Sequence, residues 1–113
     1  MEAMSGFAKE NMPLMEVLIH SNKARRMALL KTLNRSEVDS ICELVLNGVA
    51  GPAKEHIPPE LIEKCRRRKH CVRTLAFNHR LSWKKRRDIL TNQTGSGWFI
   101  PLLASVVSSL FLK

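Results

Sequence analysis

The sequence predicts an all-α protein: a small set of short helices, a basic helical segment and a separate apolar C-terminal helix. Apolar residues recur at three- and four-residue intervals, and proline, asparagine and glycine separate these stretches. Strand-like alternation of apolar and polar residues persists nowhere over five residues. With 113 residues, the chain has room for one small domain with a marginal core.

Two short helices are predicted near the start of the chain. Residues 1–11 are small and polar, and we expect them to be disordered. The first helix should begin at Pro13, because proline suits a first helical turn. Its apolar face comprises Leu14, Met15, Leu18 and Ile19. After an interruption at residues 20–22, the second helix has apolar positions at Met27, Leu30 and Leu33.

A longer third helix is predicted behind residues 34–36. Ser36 with Asp39 forms a weak variant of a capping box, since Asp replaces the usual Glu or Gln. The apolar positions that follow at helical spacing are Val38, Ile41, Cys42, Val45, Leu46 and Val49. Asn47-Gly48 and Gly51-Pro52 are expected to end this helix.

A basic helix and a shorter basic helix complete the predicted organisation. Pro58 and Pro59 open the first, whose apolar stripe is Leu61, Ile62, Cys65, Val72, Leu75 and Ala76, to about Phe77. Ser82 can cap the second, and a glycine-containing hinge follows. We therefore expect a helical domain at residues 12–77, a basic helix and hinge at 78–97, and an apolar tail at 98–113.

The excess positive charge is confined to the middle of the chain. Residues 1–60 carry seven Lys and Arg against eight Asp and Glu, whereas residues 61–97 carry eleven against two. Residues 98–112 carry no charge. This distribution favours nucleic acid or an anionic membrane as a partner, and it concerns association rather than fold.

The basic residues are the candidates for nucleic-acid binding. Each one near a phosphate would displace a condensed counterion, which makes binding salt-dependent. Zinc-finger spacing, basic-region heptads and ribonucleoprotein aromatic motifs are missing from the sequence, so we expect contact with a polyanion without base recognition. The alternatives are a solvated helix face or a nuclear localisation signal. The candidate residues are Lys64, Arg66, Arg67, Arg68, Lys69, Arg73, Lys84, Lys85, Arg86 and Arg87.

The apolar tail suggests contact with a membrane or with another apolar surface. A helix of its fifteen uncharged residues from Trp98 would be about 22 Å long, short of the roughly 30 Å hydrocarbon core. An interfacial or re-entrant helix therefore fits better than a span. The alternative is that the tail packs as the last core helix. The candidate contact residues are Trp98, Phe99, Ile100, Leu102, Leu103, Val106, Val107, Leu110 and Phe111.

The sequence predicts neither a metal site nor a catalytic constellation, and it implies no cofactor. Cys65 and Cys71 on one helix would point about 240° apart and could not converge on one ion. We expect these two cysteines and Cys42 to be structural thiols. Three cysteines at irregular spacing do not form a disulfide framework, and the start of the chain does not read as a secretory signal. A reducing compartment, cytosolic or nuclear, is therefore expected.

Five segments together resemble a viral protein family. They are Cys42-Glu43-Leu44, Leu46-Asn47-Gly48, Leu75-Ala76, residues 81–87 and residues 93–97, within a likeness over about residues 12–112. The order and spacing of these segments are similar to those of small proteins from adenovirus-related elements of animals, the polinton and adintovirus group. Those proteins are compared with the adenovirus virion core protein X.

The resemblance implies a minor or core virion protein that is DNA-associated and membrane-active, located in the virion and the host nucleus. It also implies a viral maturation protease as a partner. Proteases of the adenovirus type favour an apolar or amide residue, any residue, Gly, any residue, then Gly. The hinge residues Gln93, Gly95, Ser96 and Gly97 satisfy this pattern, with cleavage expected between Ser96 and Gly97.

The leading hypothesis is a nonenzymatic virion-associated protein whose basic helices bind packaged DNA and whose tail contacts membrane or capsid. A second is a tail-anchored or viroporin-like membrane protein with a basic cytosolic flank. A third is a helical protein-interaction module in which the tail belongs to the core.

Overall fold

Seven α-helices and one short 3-10 helix make up the part of the chain that the computed structural model describes, residues 10–78, 80–93 and 98–111. These ranges contain no strand, so the predicted all-α fold is confirmed. In chain order the elements are α1 (Met12–His20), α2 (Lys23–Lys31), α3 (Arg35–Ala50), the 3-10 helix (Pro52–His56), α4 (Pro59–Arg67), α5 (Lys69–Phe77), α6 (Trp83–Asn92) and α7 (Phe99–Phe111).

Helix α3 is the central element, and its N-terminus is capped differently from the prediction. Its cap is Asn34, whose Oδ1 accepts a hydrogen bond from the Glu37 amide at 2.9 Å. Glu37 Oε1 accepts from the Asn34 amide at 2.8 Å and completes the capping box. The predicted pair of Ser36 and Asp39 was wrong, because Ser36 already lies inside the first turn.

The start of the described chain is tied to α3. Asn11 falls in the segment predicted to be disordered, but its side-chain amide donates to Ser40 Oγ at 2.8 Å and to Ser36 Oγ at 3.2 Å. The prediction is therefore wrong for Asn11, and residues 1–9 of that segment lie outside the described residues. Pro13 occupies the first turn of α1, as predicted.

The predicted long basic helix is two helices, with a break at Arg68. Its backbone, at φ −110° and ψ 29°, ends α4 and precedes α5. In a continuous helix Arg68 would lie about 20° from Leu61, in the middle of the apolar stripe. The break leaves Arg68 exposed to solvent while Leu61 and Val72 remain buried. We therefore attribute the break to the cost of burying an unpaired guanidinium.

Helix α7 is part of the core rather than a separate tail. It packs against α1, α3 and the 3-10 helix and covers apolar side chains of these elements that would otherwise be exposed to solvent. Seven of the nine residues predicted to contact membrane or capsid are buried there: Trp98, Phe99, Ile100, Leu102, Leu103, Val106 and Val107. The side chains of Leu110 and Phe111 lie outside the described part of the chain.

Helix α7 thus packs as the last core helix, which was the alternative expectation, and not as an apolar tail divided from residues 12–77. One continuous hydrophobic cluster includes Met15 of α1, Leu44 of α3, Leu90 of α6 and Leu102 of α7. The predicted apolar C-terminal helix does form, but it packs within this cluster. Within the described ranges, no helix is both long and apolar enough to cross a bilayer.

Gly48 lets α3 and α7 approach closely. It lies inside α3, which continues to Ala50, so Asn47-Gly48 does not end the helix as predicted. A Cβ at this position would lie 2.8 Å from Leu102 Cδ1 and 2.9 Å from Val106 Cγ2. Both neighbouring side chains are fully buried and have little room to move.

Replacing Gly48 with valine should therefore destabilise the protein by about 1–3 kcal/mol, because the core would be overpacked. Urea unfolding of the purified protein measures this change. The matched control is Ala50→Val, an exposed position on the same helix, which should stay within about 0.5 kcal/mol of wild type. Equal stabilities for the two variants would contradict the close approach.

Candidate nucleic-acid interface

Helices α4 and α5 present six exposed basic side chains, which we call the α4–α5 cations: Lys64, Arg66, Arg67, Arg68, Lys69 and Arg73. Glu63 lies beside them, 3.3 Å from Arg66 Nη1 and 3.9 Å from Arg67 Nε. Both arginine side chains remain at least 70% exposed, and Glu63 is half exposed. Ion pairs of this kind contribute only about 0–1 kcal/mol, so the cations stay available to an external anion.

Some of the basic side chains lie at a helix C-terminus, where the helix dipole stabilises a cation, and others lie at a helix N-terminus, where it does not. Arg66 and Arg67 occupy the last turn of α4, where a cation stabilises the helix. Lys69 begins α5, while Lys84 and Lys85 lie in the first turn of α6, with no acidic residue in either first turn. A cation there opposes the dipole, whereas a bound phosphate would be favoured. A stabilising effect on the helices therefore does not explain why lysines occupy these three positions.

Helix α6 forms as predicted and contacts α5. Ser82 Oγ accepts a hydrogen bond from the Lys85 amide at 3.3 Å, which confirms the predicted cap. The side chains of Lys84 and Lys85 are exposed, and Lys84 Nζ lies 5.9 Å from the centre of the Trp83 ring. These two lysines thus lie on a helix next to the α4–α5 cations.

Arg86 points into the protein instead of toward a partner. Its Nη2 donates to Asp39 Oδ1 at 2.9 Å, and its side chain is only 16% exposed. This pair joins α6 to α3. Arg86 Nε is buried without a hydrogen-bond partner among the described residues. The sequence placed Arg86 in the nucleic-acid interface, whereas in the structure its guanidinium forms an ion pair within the protein.

Arg87 also has partners inside the protein. Its Nη1 donates to the Leu33 carbonyl at 3.1 Å, just beyond the end of α2. Its guanidinium lies 5.1 Å from the centre of the Trp83 ring, within cation–π range. The sequence could not separate Arg86 and Arg87 from Lys84 and Lys85, because all four belong to one basic run. Only the helical phase relative to the core distinguishes them.

The three cysteines are free thiols. Cys42 and Cys65 are buried, as expected, and Cys71 is partly exposed. Burial raises the pKa of the Cys42 thiol to about 11, and the nearby Arg86 guanidinium partly opposes that rise. Burial also raises the pKa of Cys65. Among the described residues, no group of three or more His, Cys, Asp or Glu side chains is placed to hold a metal ion.

The hinge is described only at its edges. Gln93 Oε1 accepts a hydrogen bond from the buried Trp98 indole Nε1 at 3.0 Å. Gly95, Ser96 and Gly97 of the predicted cleavage site lie outside the described residues. Gln93 and Trp98 thus form a contact across the segment between them.

An apolar groove of about 410 Å³ lies beside the α4–α5 cations, and the sequence analysis missed it. Ile62 and Phe77 line it and are 37% and 51% exposed, unusually high for large apolar side chains in this protein. Arg66, Lys69 and Arg73 line the same groove. Ile62 and Arg66 are four residues apart on α4, and Lys69, Arg73 and Phe77 follow at four-residue steps on α5, so each set lies on one face of its own helix. That spacing was the signal available in the sequence.

The internal and exposed cations of α6 should respond differently to substitution. Arg86→Gln removes the closer of the two basic partners of Asp39 and should cost about 1–3 kcal/mol of folding stability. Lys85→Gln removes the same charge from an exposed position and should change stability by less than about 0.5 kcal/mol. Urea unfolding of both variants checks this, and equal losses would show that Arg86 is not structural.

In comparisons with known proteins, no family model, no curated protein and no solved structure matches the chain.

Proposed function

We propose that this protein is a nonenzymatic DNA-binding protein that uses the α4–α5 cations, together with Lys84 and Lys85, to neutralise phosphates. The supporting observation is the exposure of eight basic side chains on three neighbouring helices, with Glu63 as the carboxylate that pairs with two of them. Arg86 and Arg87 are left out because their guanidinium groups already have hydrogen-bond partners within the protein. Binding of this kind follows charge and not base sequence.

The position of the charges supports a surface contact with the DNA backbone. A duplex carries one negative charge per about 1.7 Å of axis, so several side chains spread over α4, α5 and α6 can each meet a phosphate. The lysines at the starts of α5 and α6 add the positive end of a helix dipole. The protein therefore offers a broad cationic face rather than a base-reading helix.

The test is the salt dependence of binding to a duplex of arbitrary sequence, measured by fluorescence anisotropy. If about six cations contact phosphates, the logarithm of the binding constant should fall with the logarithm of salt concentration with a slope of about −5. The variant K64Q/R67Q/R68Q should make that slope shallower by up to about 3 units. Its three positions are exposed and do not line the apolar groove.

The matched control is K23Q/R25Q/K31Q, which removes the same charge from exposed positions on α2. It should leave the slope nearly unchanged. Equal effects of the two triple variants would mean that net charge alone drives binding and that the α4–α5 cations form no specific face. Binding that is insensitive to salt would reject the proposal altogether.

We also propose where the protein acts and how it is processed. The resemblance to adintovirus-type proteins favours a core or minor virion protein, present in the virion and the host nucleus and processed by a viral maturation protease between Ser96 and Gly97. We do not assign the buried residues of α7 to membrane or capsid contact, because they form core in this fold.

Cleavage at the hinge should leave the two fragments together. Helix α7 would still be held by α1, α3 and the 3-10 helix, and Trp98 is fully buried. After treatment with an adenovirus-type protease, mass spectrometry should find a new terminus at Gly97. Size-exclusion chromatography should show an unchanged native peak whose fragments separate only in denaturant. Release of the C-terminal fragment without denaturant would contradict the role of α7 in the core.

A further inference from the structure

The apolar groove beside α4 and α5 combines an apolar surface with a cationic rim. Its apolar lining includes the buried Val72 and Cys65 and the exposed Ile62 and Phe77. Lys54, from the 3-10 helix, joins Arg66, Lys69 and Arg73 among the residues that line it. No carboxylate belongs to the described lining. The groove thus offers burial to aliphatic side chains and ion pairs to anions.

We propose that this groove binds an acidic amphipathic helix of a partner protein. The lining extends from Ile62 on α4, past the break at Arg68, to Phe77 on α5. A docked helix of about 14 residues is about 20 Å long. Leucine-type side chains of that helix would cover Ile62 and Phe77, and its flanking carboxylates would meet the four cations. Laying an apolar helix face into a groove is a common mode of peptide recognition.

The spread of the cations favours a peptide over a ligand with one anionic head group. Arg66 lies on α4, Arg73 on α5 and Lys54 on the 3-10 helix, so the cations come from three different elements. One carboxylate or phosphate cannot reach all of them, whereas several carboxylates on one helix can.

The apolar lining also favours a peptide over a nucleic acid. A DNA backbone could pair with the cations but would leave Ile62 and the aliphatic part of the groove uncovered. Peptide binding therefore depends on the apolar lining, and it can occur or fail independently of DNA binding. Because Arg66, Lys69 and Arg73 belong to both surfaces, we expect the peptide and DNA to compete.

The experiment uses fluorescence anisotropy with three labelled synthetic peptides of about 14 residues. The first places leucines on one helical face with glutamates beside them. The second has the same composition in scrambled order, and the third replaces every glutamate with lysine. We expect the first peptide to bind, the scrambled peptide to bind at least about tenfold more weakly, and the lysine peptide not to bind.

The double variant I62S/F77S identifies the site. Both side chains are exposed, so the fold should tolerate their replacement. It should weaken the first peptide at least about tenfold while leaving duplex DNA binding unchanged, because the cations remain. The control is Val17→Ser, an exposed apolar residue on α1 outside the groove, which should not affect binding.

Three outcomes would overturn the proposal. The first is failure of the Leu/Glu peptide to bind, and the second is equal binding by the scrambled peptide or by the double variant. The third is a double variant that loses affinity for single-stranded oligothymidylate but not for the peptide. That result would assign the groove to nucleic acid. A failed DNA-binding proposal would instead show itself as salt-independent duplex binding with peptide binding intact.

Discussion

The packing of α7 against α3 is the contact on which the rest of the fold depends. Gly48 leaves the space in α3 that Leu102 and Val106 fill, and both of these side chains are completely buried. Helix α1 and the 3-10 helix also pack against α7. A chain of 113 residues has little apolar surface to spare, so a helix that looks like a membrane element is needed to close its own core.

This closed core determines where the positive charge can go. A guanidinium is costly to bury alone, so Arg68 leaves the apolar stripe through a break between α4 and α5. Arg86 enters the protein only beside Asp39. The six α4–α5 cations are exposed, and three of them, Arg66, Lys69 and Arg73, line a groove that the core does not fill. The cationic surface and the groove are thus two results of the same packing.

Helical spacing, proline and capping residues predicted the helical fold and most helix positions, because these are local properties of the chain. The sequence did not reveal the cap at Asn34, since asparagine and serine two residues apart compete for the same role. It also could not tell Arg86 from Lys85, because their difference depends on contacts with α3, 47 positions away from Arg86. The same limitation applies to the apolar C-terminal helix, whose partners are distant in sequence.

The position of α7 in the chain affects how the protein is made. A ribosome releases α7 after the six other described helices, so the surface of α3 that α7 covers stays exposed until α7 emerges. The basic helices emerge before the core can close, and their like charges would keep nascent chains apart during this interval. A ribosome that stalls in the hinge would therefore hold a chain whose core still lacks α7.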